Sequence, residues 1–218
     1  ISQIQGAQHR SPLEGQTVTD IYGIVTGITG SGFYLQDPKP DLDERTSEGI
    51  FIATYQVSTV KVGDEVLIAS GVVKEFNPAG VGSNSLTITQ IQTNDIYILS
   101  KGNPLPEPIV LGEGGRTIPN QVIANDVNGY AGKSGLFDPQ EDGLDFYESL
   151  EGMRVQVNQA LAVSPTSKYR EVVVVADKGK NSTVLSSRGV LVIRPEDFNP
   201  ERILIDDAFI NIPEIQVG

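Results

Sequence analysis

The chain of 218 residues contains no cysteine and only one histidine, His9. Without cysteine it has no disulfide, no thiolate zinc site and no cysteine nucleophile. A single histidine near the start excludes a histidine-rich metal site and the histidine-dependent mechanisms of most common hydrolases. We therefore do not expect a complete enzyme within these residues.

Tryptophan is also absent, and aromatic residues make up only 6% of the chain. No apolar run approaches the ~20 residues that a membrane span needs, so no membrane partner is predicted. The first residues, Ile1–Ile4, include neither a methionine nor the basic and apolar regions of a signal peptide. We expect either that a leader has been removed or that the chain is a piece of a longer protein.

Cations are scarce, with 16 Lys and Arg against 28 Asp and Glu and a net charge of −12. A uniformly acidic surface repels phosphate groups, which argues against general nucleic-acid binding. The stretch from Lys168 to Arg194 departs from this balance, because it holds six basic and two acidic residues. Its local charge of +4 is the electrostatic argument for a nucleic-acid site.

Short runs rich in Val, Ile, Thr, Tyr and Phe dominate the pattern, and Gly, Pro, Asn and Asp separate them, which predicts β-strands. The predicted strands are 17–28, 32–36, 49–54, 65–76, 85–93 and 95–99. Gly23 and Gly27 interrupt the long first run and indicate a bulge or sharp bend, as a small barrel needs. The one predicted helix is short, Gly143–Leu150, with Asp145 as its cap.

Prolines divide the chain. Four of them, with several glycines, lie between Gly102 and Pro119 and favour an extended, semi-rigid connector. The predicted organisation is a β-barrel domain over 1–101, a Pro/Gly-rich linker over 102–119, and a second β domain over 120–218 with a loop-rich start.

Three short matches indicate an internal duplication. Leu13-Glu14-Gly15 recurs 137 residues later, and Gln36-Asp37 and Ser47–Ile50 have counterparts 140 residues later. The prediction is an all-β chain of two tandem OB-like Greek-key small barrels. An immunoglobulin-like sandwich is the alternative, which the absence of tryptophan and of a cysteine pair disfavours.

Two alignments describe the end of the second copy. In one, the last four residues match the turn before the fourth strand of the first copy, so the second barrel is incomplete at Gly218. In the other, Arg202–Ile205 match Glu65–Ile68. An incomplete barrel leaves bare strand edges that must pair with something else.

Ten stretches across nearly the whole chain match one known pattern. They are Ile4–Gly6, Ser11–Leu13, Gly15–Val18, Gly32–Pro38, Thr46–Phe51, Gly102–Pro106, Phe137–Pro139, Glu141–Met153, Val192–Pro195 and Asp197–Arg202. In these residues the chain resembles the region ahead of the catalytic domain in large secreted bacterial nucleases of the endonuclease/exonuclease/phosphatase superfamily. The block Phe-Tyr-Glu-Ser-Leu-Glu-Gly, residues 146–152, is fairly specific.

The resemblance implies an OB-like accessory region of a secreted, extracellular nuclease. In that family a metal-dependent phosphodiesterase domain follows the region, and Mg²⁺ or Ca²⁺ is expected there. The catalytic His, Asp, Asn and Glu of that domain have no counterparts in this chain, so no catalytic residue is carried over.

The basic stretch carries the predicted nucleic-acid site. Tyr169, between Lys168 and Arg170, combines a stacking ring with cations, and OB folds hold single strands in this way. Alternation along the second strand places the ring of Tyr34 on its outer face. The predicted nucleic-acid-binding residues are Lys168, Tyr169, Arg170, Lys178, Lys180, Arg188, Arg194 and Tyr34. An exposed basic hairpin tip without a ligand is the alternative.

Two acidic loops offer oxygen ligands for calcium, which takes six to eight of them. The candidate ligands are Asp37, Asp41, Asp43, Asp138, Glu141 and Asp142. Neither loop has the spacing of a helix–loop–helix calcium site, and solvated turns are the favoured interpretation.

Two functions follow from these observations. The favoured one is a non-catalytic accessory region that binds or positions nucleic acid, preferably single-stranded, for a phosphodiesterase domain outside the chain. The alternative is a structural or assembly module that uses open β edges to oligomerise and binds no nucleic acid.

Overall fold

Two compact units make up the chain in this computed structural model, which describes residues 1–80, 82–125 and 136–218. Of these residues, unit 1 holds 1–108, 136–137 and 147–154. Unit 2 holds 109–125, 138–146 and 155–218. This division differs from the predicted one, because residues 147–154 lie late in the chain and yet belong to the first unit.

Unit 1 contains a closed five-stranded barrel. Its strands are β1 Thr17–Ile28, β2 Gly32–Gln36, β3 Gly49–Ala53, β4 Glu65–Phe76 and β5 Ile88–Ser100. They are joined in the order β1-β2-β3-β5-β4, and all pairings are antiparallel except that of β3 with β5. The predicted all-β character of the chain is confirmed. A four-residue helix, α1 Ser2–Gln5, precedes the barrel.

The long strand β1 closes the barrel by serving two neighbours. It pairs with β4 from Thr17 to Ile24 and with β2 from Ile24 to Ile28. The register with β2 shifts between Val25 and Gly27, so the predicted bulge is present. Gly23 permits the close approach of β2, because a Cβ there would lie 2.8 Å from the Leu35 side chain.

Alternating residues of the strands fill the barrel. Phe33, Leu35, Ile50 and Ile52 on β2 and β3 are fully buried, and Val66, Ile68, Val73 and Ile91 complete the core from β4 and β5. The period-2 pattern thus places one face of each strand inside. Tyr34 and Phe51 occupy the opposite face of β2 and β3.

Unit 2 is built from short strands and loops. Its strands are β6 Ile109–Leu111, β7 Val155–Val157, β8 Leu161–Ala162, β9 Val172–Val175 and β10 Ile203–Ile205. In the part of the unit that the structure describes, these form a parallel pair β6-β7 and an antiparallel sheet β10-β9-β8. A second closed barrel is therefore not confirmed.

The described pairings of unit 2 do not reproduce the strand pairings of the barrel. Residues 187–190, the expected third strand, lie in a loop next to an isolated bridge between Leu185 and Leu191. In unit 2, β10 pairs with β9. The second alignment matches β10 with β4 of the barrel, and β4 pairs with β1 and not with β2. The similarity that remains is one antiparallel hairpin, β8-β9, comparable with β1-β2.

The second helix, α2, spans Gly143–Glu148, somewhat shorter than predicted. Asp145 lies inside it and accepts a hydrogen bond from the Asp138 backbone N–H at 2.6 Å. Among the described residues, the helices are all too short to cross a membrane.

Residues 150–153 follow α2 and pack on β3 within unit 1. A Cβ on Gly49 would lie 2.3 Å from the carbonyl carbon of Gly152, so only glycine permits this contact. We expect Gly49→Ala to lower the free energy of unfolding of unit 1 by about 1–3 kcal/mol, because the backbone of 152–153 must move away. Urea unfolding followed by far-UV circular dichroism measures the change.

Gly30→Ala is the matched control. Nothing lies within 4 Å of a Cβ at this position, and its φ is not positive, so the change should stay within about 0.5 kcal/mol. Equal unfolding midpoints for the two variants would contradict the close packing at Gly49.

Candidate ligand-binding sites

An open pocket of about 640 Å³ lies at one end of the barrel. Its walls come from the β1-β2 loop at Gly30 and Ser31, from the chain that leaves β3, and from β5. All of its lining residues are uncharged. The pocket therefore offers amides, hydroxyls and one aromatic ring, in a chain whose net charge is −12.

The ring is Tyr55, which is 92% exposed. Its backbone is nevertheless fixed, because three hydrogen bonds tie residues 54–56 to Asn94 on β5. Thr54 Oγ1 and Tyr55 N donate to Asn94 Oδ1 at 3.0 and 3.3 Å, and Gln56 Nε2 donates to the Asn94 carbonyl at 2.8 Å. The result is an aromatic side chain in solvent on an ordered loop, where functional residues often lie.

A bulge in β5 makes these bonds available. Ser70 pairs with Asp95 and Val72 pairs with Gln92, so Gly71 on β4 faces two residues of β5, Thr93 and Asn94. A bulge turns side chains and carbonyls out of the regular ladder. The Asn94 groups can therefore bond the loop after β3 instead of a neighbouring strand.

The predicted basic residues of unit 2 lie on several turns. Lys168, Tyr169 and Arg170 share the turn between β8 and β9, where Ser167 Oγ accepts from Tyr169 N at 3.1 Å. Tyr169 is 66% exposed, and Lys168 Nζ lies 4.8 Å from its ring centroid, a cation–π contact. Lys178 and Lys180 lie on the turn after β9, and Arg188 and Arg194 lie on two further loops.

Carboxylates neutralise two of these cations. Arg170 Nη1 lies 3.2 Å from Glu214 Oε1, and the guanidinium also donates to the Ile212 carbonyl. Lys180 Nζ lies 2.8 Å from Glu113 Oε1. Because both acidic partners are distant in sequence, the +4 charge counted along the chain overstates the positive field of this surface.

Tyr34 is less accessible than predicted. Its ring meets the Phe51 ring edge-on, with centroids 5.1 Å apart, and is about half-buried. Burial, together with the nearby Glu151 carboxylate, raises the pKa of the Tyr34 hydroxyl. Tyr55, which the sequence analysis did not select, is the more exposed ring of the barrel. Its one sequence signal is an aromatic residue directly after a buried strand.

The first acidic loop is a series of turns closed by its own side chains. Asp37 and Asp41 each accept from the backbone N–H two residues later, at 2.8 Å. Asp43 bonds Arg45, whose hydrogen bonds lower the pKa of Asp43 to about 2. In the second acidic loop, Asp138 accepts from Gln140 N at 3.1 Å, and Asp142 is buried while Glu141 is exposed.

Across the described ranges, no three acidic or histidine side chains come together as metal ligands. Of the six proposed calcium ligands, four accept hydrogen bonds within their own turns (Asp37, Asp41, Asp43 and Asp138), Glu141 is exposed and Asp142 is buried. Calcium binding stays a prediction without geometric support.

A buried carboxyl group holds residues 147–154 against the barrel. Glu151 Oε1 accepts from Thr89 N at 2.9 Å and from Gln5 Nε2 at 3.3 Å, and the Glu151 carbonyl accepts from Ser47 Oγ at 2.6 Å. Burial, and then the carboxylates of Glu148 and Glu75, raise the pKa of Glu151 to about 8. The block that the sequence analysis found fairly specific thus docks on β3 and β5.

Comparison with known families places part of the chain. A family model described as a domain of unknown function (DUF8508) matches residues 110–218, which are half of the chain. The chain therefore belongs to this family. Neither the curated proteins nor the solved structures include a match.

The Glu151 environment predicts a pH-dependent stability. A carboxyl group whose pKa rises from 4.5 to about 8 on folding is protonated in the folded state and ionised in the unfolded state between these values. The folded state then binds more protons, so this group's contribution falls as pH rises, by at most about 1.4 kcal/mol per pH unit. We expect Glu151→Gln to remove that part of the slope and to be more stable than the parent at pH 8.

Urea titrations of both proteins between pH 5 and pH 9 measure the difference. Glu107→Gln, at an exposed position of unit 1, is the control and should follow the parent at every pH. If the difference between Glu151→Gln and the parent stays constant across this range, the carboxyl group is not protonated in the folded protein.

Proposed function

We propose that this chain is a non-catalytic accessory region of a secreted nuclease, and that it holds single-stranded nucleic acid for a metal-dependent phosphodiesterase domain outside the chain. The observation that carries the proposal is the turn at Lys168 and Tyr169, where an ammonium group and an exposed ring lie together. Single strands are held by this combination of cations near the backbone and rings against the bases.

The barrel supports the same assignment. A five-stranded closed barrel in the order β1-β2-β3-β5-β4, with β3 parallel to β5, agrees with the OB type that we propose for unit 1. OB folds bind oligonucleotides and oligosaccharides with strands 2 and 3 and with the loops between strands 1 and 2 and between strands 4 and 5. Here the β1-β2 loop forms one wall of the open pocket.

The resemblance to secreted nucleases supplies the parent activity in this proposal. Mg²⁺ or Ca²⁺ would act in the separate phosphodiesterase domain, and its catalytic groups would come from that domain. This chain would contribute by raising the local concentration of the strand near them, as linked binding modules do.

Binding of a fluorescent 15-nucleotide oligo-dT strand tests the proposal. We expect anisotropy to show binding at low salt that weakens as salt is added, because phosphate contacts release counterions. Lys168→Glu with Tyr169→Ala should weaken binding at least about tenfold, since stacking alone contributes about 1–3 kcal/mol per base. An oligo-rU strand run in parallel compares RNA with DNA.

Lys101→Glu is the control, since Lys101 is an exposed lysine of the other unit and this substitution lowers the net charge by the same amount as the double variant. It should keep the parent affinity within about twofold. Absence of any binding at low salt would overturn the proposal.

One observation favours the assembly alternative. The sheet β10-β9-β8 is open, and β10 pairs with β9 alone among the described strands. Its central residue, Leu204, is 58% exposed. An exposed apolar edge strand is a template for pairing with another chain.

If this edge assembles copies of the chain, light scattering after size exclusion should show a dimer or larger species. Leu204→Lys should then give a monomer, because a charge on an edge strand opposes edge-to-edge pairing. A parent chain that is monomeric at all accessible concentrations would exclude this function.

A further inference from the structure

We infer that the pocket beside Tyr55 binds one unpaired base of a single strand. The base would stack its ring on Tyr55 and form hydrogen bonds through its edge, and the pocket would not contact the adjoining phosphate. The inference rests on the proposed function and adds a second site, on the barrel. It is carried by three observations about this pocket: an exposed ring, a fixed backbone and an uncharged lining.

The ring is available and its position is prepared. Tyr55 is 92% exposed, yet Asn94 holds the backbone of residues 54–56 through three hydrogen bonds. A ligand that stacks on this ring does not have to order the loop first, and a tyrosine side chain loses little rotamer freedom. The hydrogen bonds to Asn94 should therefore give tighter binding than a flexible loop with the same side chain would give.

The lining sets the chemical class. Ser31, Gln92 and Asn94 supply hydroxyl and amide groups, which both donate and accept hydrogen bonds, as base edges do. Both oxygen bonds of the Asn94 side chain go to the loop at Thr54 and Tyr55. Gln92 and Asn94 are exposed on β5, so their amides can reach a ligand.

The charges exclude a phosphate subsite here. Among the described residues, the lining of the pocket holds no cation, and residues 1–108 carry six basic against twelve acidic residues. A phosphate group would therefore be repelled, whereas a neutral base would not. A paired base is also excluded, because its Watson–Crick edge and both of its faces are occupied within a duplex.

The first test separates stacking from phosphate contact. Tyr55→Ala should weaken binding of the oligo-dT strand at least about fivefold, the lower limit for loss of one stacked base. The slope of log affinity against log salt should stay that of the parent, since no counterion is released at this site. Lys168→Glu, in contrast, should reduce the magnitude of that slope by about 0.7.

Two tyrosine variants serve as controls. Tyr55→Phe keeps the stacking ring and should keep most of the affinity. Tyr97→Ala removes another ring of the barrel, 54% exposed on β5 but outside the pocket, and should bind as the parent does. Equal losses for Tyr55→Ala and Tyr97→Ala, or no loss for either, would overturn the inference.

The second test uses adenosine, which has a base but no phosphate. We expect it to shift the backbone amide signals of residues 54–56 and 94 in a ¹⁵N–¹H spectrum of the whole chain. In the Tyr55→Ala variant, adenosine should not shift these signals. If adenosine shifts these signals in the parent chain but no oligonucleotide binds, the proposed function is refuted and the base-binding site is supported. Oligonucleotide binding without adenosine shifts, or larger shifts with maltotriose, would refute the base subsite.

Discussion

The parallel pairing of β3 with β5 is the constraint on which the barrel and its pocket depend. It joins the two end strands of a sheet, β3-β2-β1-β4-β5, that would otherwise remain open. Because Ala53 lies opposite Gln92, the chain that leaves β3 must run past the next residues of β5. The bulge at Asn94 then supplies the groups that hold it, and the same closure that buries the core also presents Tyr55.

A second constraint comes from a distant part of the sequence. Residues 150–153 approach β3 so closely that position 49 must be glycine, and Glu151 enters the polar groups around Thr89 and Gln5. A buried carboxyl with few cations nearby is stable mainly in its protonated form. Unit 1 is thus a barrel completed by a late segment, and its stability is expected to respond to pH.

The strands of the barrel were predictable from the sequence because each is a run of β-branched and aromatic residues bounded by turn-forming residues. The runs at 17–28, 32–36 and 65–76 agree with β1, β2 and β4. The two predicted strands at 85–93 and 95–99 form one strand, β5, because the polar residue between them, Asn94, lies at a bulge and not in a turn. A polar residue between two apolar runs does not show whether the chain forms a bulge or a turn there.

The predicted duplication is not confirmed. Two of its matched tripeptides, ending at Gly15 and Gly152, lie in turns where the glycine has a φ of +80° and +71°. The two tripeptides share a turn conformation, and such a match does not require a shared barrel. The carboxylate partners of Arg170 and Lys180 and the exposure of Tyr55 depend on long-range contacts, which local pattern does not contain.

The central claim is that exposed rings on ordered loops hold a single strand. The most direct measurement is a ¹⁵N–¹H titration of the whole chain with unlabelled oligo-dT at low salt. If the rings hold the strand, the shifts will be concentrated at residues 54–56 and 94 and at residues 167–171. No shifts at any strand concentration, or shifts confined to the outer face around Tyr34 and Phe51, would contradict it.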